Sequence, residues 1–174
     1  MSDSHNIAMI TQKFERHYEE SVVVNAKREK VFAYADDHRN FSSHMNKSSW
    51  MMGGGSMQTL IDEGAGQKVG SHIVMRGKVF GIKLFLDEVV TKHDFPESKE
   101  WQTVGELNLV IIDHYKLGFQ TAEQEDKTML NVYIDYNLPK SLIGRMAGHL
   151  LGDFYAKWCV KQMVGGVVDY FGNK

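Results

Sequence analysis

Through most of the chain, apolar positions alternate with polar ones; beyond Pro139 the spacing lengthens to that of a helix. Residues 17–25 open the pattern with the β-branched run Val22, Val23 and Val24, which predicts a first strand. Residues 27–35 predict a short helix whose apolar side is Val31, Phe32, Tyr34 and Ala35. Asp36 and Asp37 are placed to stop it and to cap a second short helix over 38–45. Residues 48–56, ending in three glycines and Ser56, read as a loop. Strands are then predicted over 57–62, 71–80, 82–93, 100–106, 107–112, 115–122 and 128–138, with the boundary between the fourth and fifth left open by the pattern. The glycine-rich stretch EGAGQKVGS, the run Phe95, Pro96, Glu97 and Ser98, and the polar Glu125, Asp126 and Lys127 supply turns between them.

The final segment, 140–171, predicts one long helix. Ile143, Met146, Ala147, Leu150, Leu151, Phe154 and Trp158 recur at three- and four-residue steps and form a broad apolar face. Gly144, Gly148 and Gly152 recur every fourth residue, where a helix normally avoids glycine. This bare edge either leaves volume for a ligand or admits a close approach by the sheet or a second subunit. Val160, Val164, Val167 and Phe171 lie about a quarter turn round, at ~100° per residue. The first half is therefore expected to lid a cavity, and the second, after a bend at Gly165 and Gly166, to pack on the sheet and the short helices. Sequential strands joined by tight turns favour an antiparallel sheet with one face left for the only long helix to cover. The expectation is an α+β fold of about six to seven strands curved around a C-terminal helix, with two short helices after the first strand.

Composition narrows the function classes. Apolar residues make up 43% of the 174 and charged residues 24%, as in an ordinary globular chain, and one domain over 14–174 with a loose arm over 1–13 is expected. A net charge of −2 with interspersed signs offers no basic face for nucleic acid. The lone Cys159 forms no internal disulfide, and no apolar run approaches a membrane span, so a cytoplasmic setting is expected.

Four stretches resemble the START-like (SRPBCC) superfamily, and within it the polyketide cyclase/dehydrase-like group of small bacterial proteins. SVVVNAKREKVFAYADD is similar to its opening strand and first helix, EGAGQKVGS to its glycine turn, and DEVVTKHDFPESKEW to a strand ending in a proline hairpin. KTMLNVYIDYNLPKSLIGRMAGHLLGDFYAKWCVKQM is similar to its last strand and closing helix. One departure is that HRNFSSHMNKSSW only loosely echoes the aromatic-and-proline signature of the second short helix, through Phe41 and Trp50. The resemblance implies the helix-grip fold of the birch pollen allergen and a cavity between sheet and helix. It implies no particular substrate, because such proteins include carriers of lipids and quinones, aromatase/cyclases and stress-response partners.

Site candidates follow from strand parity. Glu88 shares a face with Leu84, Leu86 and Val90, so it either points into the cavity as an acid, base or ligand anchor, or pairs at the surface with Arg76 or Lys78. Tyr136 shares a face with Ile134 and offers a hydroxyl to a ligand, or is a buried tyrosine satisfied by backbone. Phe41, Trp50, Met52, Met75, Leu84, Leu86, Trp101, Phe119, Ile134, Tyr136, Met146, Leu150 and Phe154 are expected to line the cavity, with Phe41, Trp50, Met52 and the glycine turn at its mouth. His38 and His44 flank the second short helix, and His149 and Asp153, four apart, are placed to pair. No histidine spacing suits zinc, the glycines fit no nucleotide-binding loop, and no cofactor is expected. The expected role is binding of a small hydrophobic or amphipathic ligand. The rivals are a cyclase or dehydratase using Glu88 or Tyr136, and a protein-interaction module with a filled core.

Overall fold

The computed structural model describes residues 13–41, 56–79 and 81–172. The elements run β1 (Arg16–Val24), α1 (Arg28–Asp36), α2 (His38–Phe41), β2 (Ser56–Ile61), β3 (His72–Val79), β4 (Ile82–Asp94), β5 (Ser98–Asn108), β6 (Tyr115–Gln124), β7 (Lys127–Tyr136) and α3 (Leu142–Gly172). The strands form a seven-stranded sheet in the order β1-β7-β6-β5-β4-β3-β2, every pair antiparallel. Register shifts in the β4–β5 pair, between Phe85 and Asp87 and between Val90 and Lys92, are bulges of the kind that bend and twist a sheet. The long helix lies on β1 and β7 and meets α1 and α2. This is the helix-grip architecture expected. Of the second short helix, the described part is His38–Phe41; residues 1–12 of the arm expected over 1–13, Trp50, Met52, His44 and the glycine loop lie outside the described residues.

One expected strand is absent. Residues 107–112 form no element of their own: β5 runs to Asn108, and 109–114 are irregular. Their backbone is served partly by the chain leaving β7, Asp113 N–H donating to the carbonyl of Asn137 and Asn137 N–H to that of His114 (2.9 Å each). The two aspartates after α1 also divide their work. Asp37 caps α2, its Oδ1 accepting the Arg39 backbone N–H at 3.0 Å, whereas Asp36 turns inward.

The glycines of α3 decide which way it faces. A Cβ on Gly148 would lie 3.0 Å from the Ile111 carbonyl oxygen and from Pro139, and 3.1 Å from Leu138; on Gly152 it would lie 3.3 Å from Leu138. The bare edge thus admits the Ile111 backbone, between β5 and β6, and the side chains of Leu138 and Pro139 beyond β7. Leu150 is then about 200° round from Gly148, at 100° per residue, and points outward. This corrects the expectation for the first half of the helix: Met146, Leu150, Leu151 and Phe154 face solvent. In the second half Val160, Val164 and Val167 are buried as expected, but in place of the expected bend one helix runs through Gly165 and Gly166.

The same geometry sets two opposite mutational outcomes. Alanine normally favours a helix over glycine by about 1 kcal/mol. Gly165→Ala, with nothing within 4 Å of the new methyl, is expected to stabilise by about that amount. Gly148→Ala must push against a backbone carbonyl and a proline ring, and is expected to destabilise by about 1–3 kcal/mol. Urea denaturation of both variants checks this; a gain from both would contradict the packing described.

Candidate functional site

Strand parity carries Glu88 inside with Leu84, Leu86 and Val90, and the carboxyl is 1% exposed. The alternative surface pairing with Arg76 does not form; Arg76 is exposed and lies over the Phe85 ring. Three elements bring polar groups to the buried carboxyl. Tyr115, at the start of β6, donates its hydroxyl to Glu88 Oε1 at 2.5 Å. His38, the first residue of α2 and also 1% exposed, places Nε2 3.8 Å from Glu88 Oε2 and stands edge-on to the Trp101 ring. Trp101 comes from β5. Its indole N–H sits near enough to favour the ionised carboxylate, yet it falls outside hydrogen-bond geometry. Glu88 Oε2 and Trp101 Nε1 are therefore a buried acceptor and a buried donor, each without a hydrogen-bond partner.

Burial pushes the Glu88 carboxyl up to about 7, against the opposing effects of the Tyr115 hydroxyl and the Trp101 N–H. Burial, and then Glu88 itself, push the Tyr115 hydroxyl well above its ordinary range. The inner face of α3 closes the cluster with Tyr155 and Cys159, whose side chains hydrogen-bond to each other. Burial drives the Cys159 thiol up to about 12, so it stays protonated and unreactive.

The glycine turn holds the His38 side of the site. Asp62 organises it, accepting from the backbone N–H of Gly64 (2.9 Å) and of His72 (2.7 Å) and from the Ser71 hydroxyl, which itself accepts the Gly66 N–H. Gly66 has φ +68°, and a Cβ there would press on Ile73 at 3.2 Å and approach His38 at 3.8 Å. A second buried cluster lies beyond Trp101. Lys99, 0% exposed, donates to both the carbonyl and Oδ1 of Asp36 at 2.8 Å, and His93 Nε2 lies 3.0 Å from the same Oδ1. Burial lowers the Lys99 pKa and Asp36 opposes that shift.

Of the predicted lining residues, Phe41, Met75, Leu84, Leu86, Trp101, Phe119, Ile134 and Tyr136 are all buried in one core. Met146, Leu150 and Phe154 are not, for the reason given above, and Trp50 and Met52 lie outside the described residues. Tyr136 is inside, but its hydroxyl donates to Asp153 Oδ1 at 2.5 Å. Both Asp153 oxygens also accept from Arg16 Nη1, at 2.6 and 2.7 Å, and Arg16 Nη2 lies 3.0 Å from His149 Nδ1. The expected His149–Asp153 pair is thus a clasp through Arg16 that ties β1 and β7 to α3. The Tyr136 hydroxyl is thus turned to Asp153, and the hydroxyl bonded to Glu88 is that of Tyr115. Tyr115 shares its strand face with the buried Leu117 and Phe119, but no local signal marks it, Tyr155 or Lys99 as partners in a site.

Among the described residues, no three His, Cys, Asp or Glu side chains converge to hold a metal, and no helix is long and apolar enough to cross a membrane. The open concavities found there, of 460, 480 and 560 Å3, lie on the surface; Glu88 lines none of the three.

No protein-family profile matches the chain, and no curated protein matches it in sequence. Solved structures do match in shape. TTHA0849 from Thermus thermophilus superposes with a TM-score of 0.63 at 14% identity, over 88% of this chain and 95% of its own. Ara h 8.0201 gives 0.60 at 13%, over 91% and 99%. A point mutant of norcoclaurine synthase from Thalictrum, in complex with a transition-state analogue, gives 0.62 at 10%, over 91% and 94%. Together with the sheet order and the closing helix, these likenesses establish the helix-grip fold.

Proposed function

We propose that residues 14–174 act as one domain binding a small hydrophobic or amphipathic molecule between the sheet and α3, with Glu88 as its polar anchor, in a cytoplasmic setting. The observation that carries this is the pair of unpartnered buried atoms, Glu88 Oε2 and Trp101 Nε1. Leaving such a group unsatisfied costs on the order of 1–3 kcal/mol, so a folded protein seldom keeps two together without a use for them. An acceptor beside a donor suits a ligand hydroxyl, which gives its proton to the carboxyl and accepts from the indole. Beyond this polar cluster the core side chains, such as Leu84, Leu86 and Phe119, are apolar, so the rest of the ligand is apolar too: a polyketide, lipid, quinone or aromatic metabolite. A helix-grip protein solved with a transition-state analogue supports the reading that this architecture admits small molecules.

The test uses 2-naphthol and naphthalene as probes in isothermal titration. Both are expected to bind, and Glu88→Gln to weaken 2-naphthol by about tenfold while leaving naphthalene unchanged, since a hydrogen bond to a charged group contributes about 1.5–3 kcal/mol. Binding of neither probe, with no small molecule found by native mass spectrometry of the freshly purified protein, would overturn the reading.

A cyclase- or dehydratase-type activity is the second reading. What favours it is a carboxyl held near 7, with Tyr115 and His38 beside it, since a general acid–base works best near the operating pH. Recovery of an added hydroxyketone minus one water, lost in Glu88→Gln, would select it over simple carriage.

A further inference from the structure

The outer face of α3 has no part in the interior site. Met146, Leu150 and Phe154, at four-residue steps, are 69%, 78% and 51% exposed, and Leu151 beside them is 48% exposed. A helix packed on a sheet ordinarily keeps such side chains inside, and grouped on one face they form an apolar patch that marks an interaction surface. Further along, the exposed face passes to Lys157 and Lys161, and Arg145 flanks its start. From 140 to 172 the basic residues are Lys140, Arg145, Lys157 and Lys161, against the acids Asp153 and Asp169. Asp153 is already held by Arg16 and Tyr136. The chain as a whole carries −2, so this segment is opposite in sign to the rest.

We propose that this face docks on an anionic phospholipid surface. The helix lies in the plane of the interface, with Met146, Leu150 and Phe154 at the boundary of headgroups and acyl chains and Lys157 and Lys161 against lipid phosphates. The pattern suits this occupant better than the others. A second copy of the chain would bring its own basic residues toward these lysines, and a neutral protein groove would leave them unpaired. An anionic bilayer receives both the apolar side chains and the charge. The inner side of the same helix carries Tyr155 and Cys159 at the Glu88 cluster, so docking would engage the element that closes the interior. The inference stands on the outer face alone and is independent of the ligand reading.

The test is co-sedimentation of the full chain with vesicles of phosphatidylcholine alone and of phosphatidylcholine mixed with phosphatidylglycerol, at low and high salt. Binding to the anionic vesicles is expected to be at least about tenfold tighter than to the neutral ones and to weaken with salt. Leu150→Ser with Phe154→Ser is expected to abolish it without changing the thermal melt, because both side chains are already exposed. Lys157→Gln with Lys161→Gln is expected to remove the preference for anionic lipid. The proposal is overturned by absence of binding to anionic vesicles, or by binding that survives the Leu150 and Phe154 changes. It is also overturned by a dimer, seen in light scattering, that the same two changes dissociate, which would assign the face to a second copy.

Discussion

Glu88→Gln is expected to be nearly neutral for stability at about pH 4 and to stabilise the protein by about 3 kcal/mol at about pH 8. The native carboxyl titrates at about 7, against an ordinary value of 4.5. Between those values the native state holds a proton that the unfolded chain has released. The stabilising contribution of the protonated group is therefore complete below about 4.5, falls as the pH rises, and is lost above about 7. A gap of this size corresponds to roughly 3 kcal/mol. Full burial leaves no solvent screening to reduce it. Glutamine keeps an oxygen for the Tyr115 hydroxyl and removes the charge, while His38, Asp87 and Lys99 stay in place. Urea denaturation of both proteins across this range checks the claim; parallel pH profiles would show that Glu88 is not held protonated by its surroundings.

Asp36→Ala is expected to cost about 3–5 kcal/mol, the usual cost of stranding one member of a buried ion pair. Lys99 is 0% exposed and its ammonium is held by the Asp36 carboxylate and carbonyl, so removing the carboxylate leaves a buried cation with half its partners. Asp36→Ala with Lys99→Met removes both charges and is expected to recover most of the loss. Thermal denaturation of the two singles and the double forms the cycle. Additive losses would mean that the pair is not coupled, and that Asp36 serves only to end α1.

Periodicity says which side chains share a face, and that was enough for the strands. Leu84, Leu86, Glu88 and Val90 stay on one side although bulges interrupt the β4–β5 register at both ends of this run. On the closing helix the same reasoning found two apolar stripes and turned the first inward as a cavity lid, whereas Met146, Leu150 and Phe154 face solvent. Gly148 and Gly152 decided it, because a bare edge lets backbone approach where a side chain would not. Partners were less legible still. Tyr115 and Tyr136 are cross-strand neighbours and both are buried, yet one hydroxyl goes to Glu88 and the other to Asp153. That difference depends on what β4 and α3 present across the interior, and no local pattern encodes it. Asp36 and Asp37 stand side by side with the same capping propensity, and only the buried ammonium of Lys99, 63 residues away, separates their roles.

The central claim is that a ligand is received at Glu88, inside the grip of sheet and helix. The most direct measurement is the side-chain carboxyl carbon resonance of Glu88 in a protein labelled with carbon-13 glutamate, assigned by its loss in Glu88→Gln and titrated with pH with and without saturating 2-naphthol. In the free protein the resonance is expected to titrate near 7. With the probe bound, a hydroxyl donating to Oε2 stabilises the carboxylate, so the midpoint is expected to fall and the resonance to shift. A Glu88 signal with the same position and midpoint in both titrations, while 2-naphthol perturbs residues elsewhere, would contradict the account.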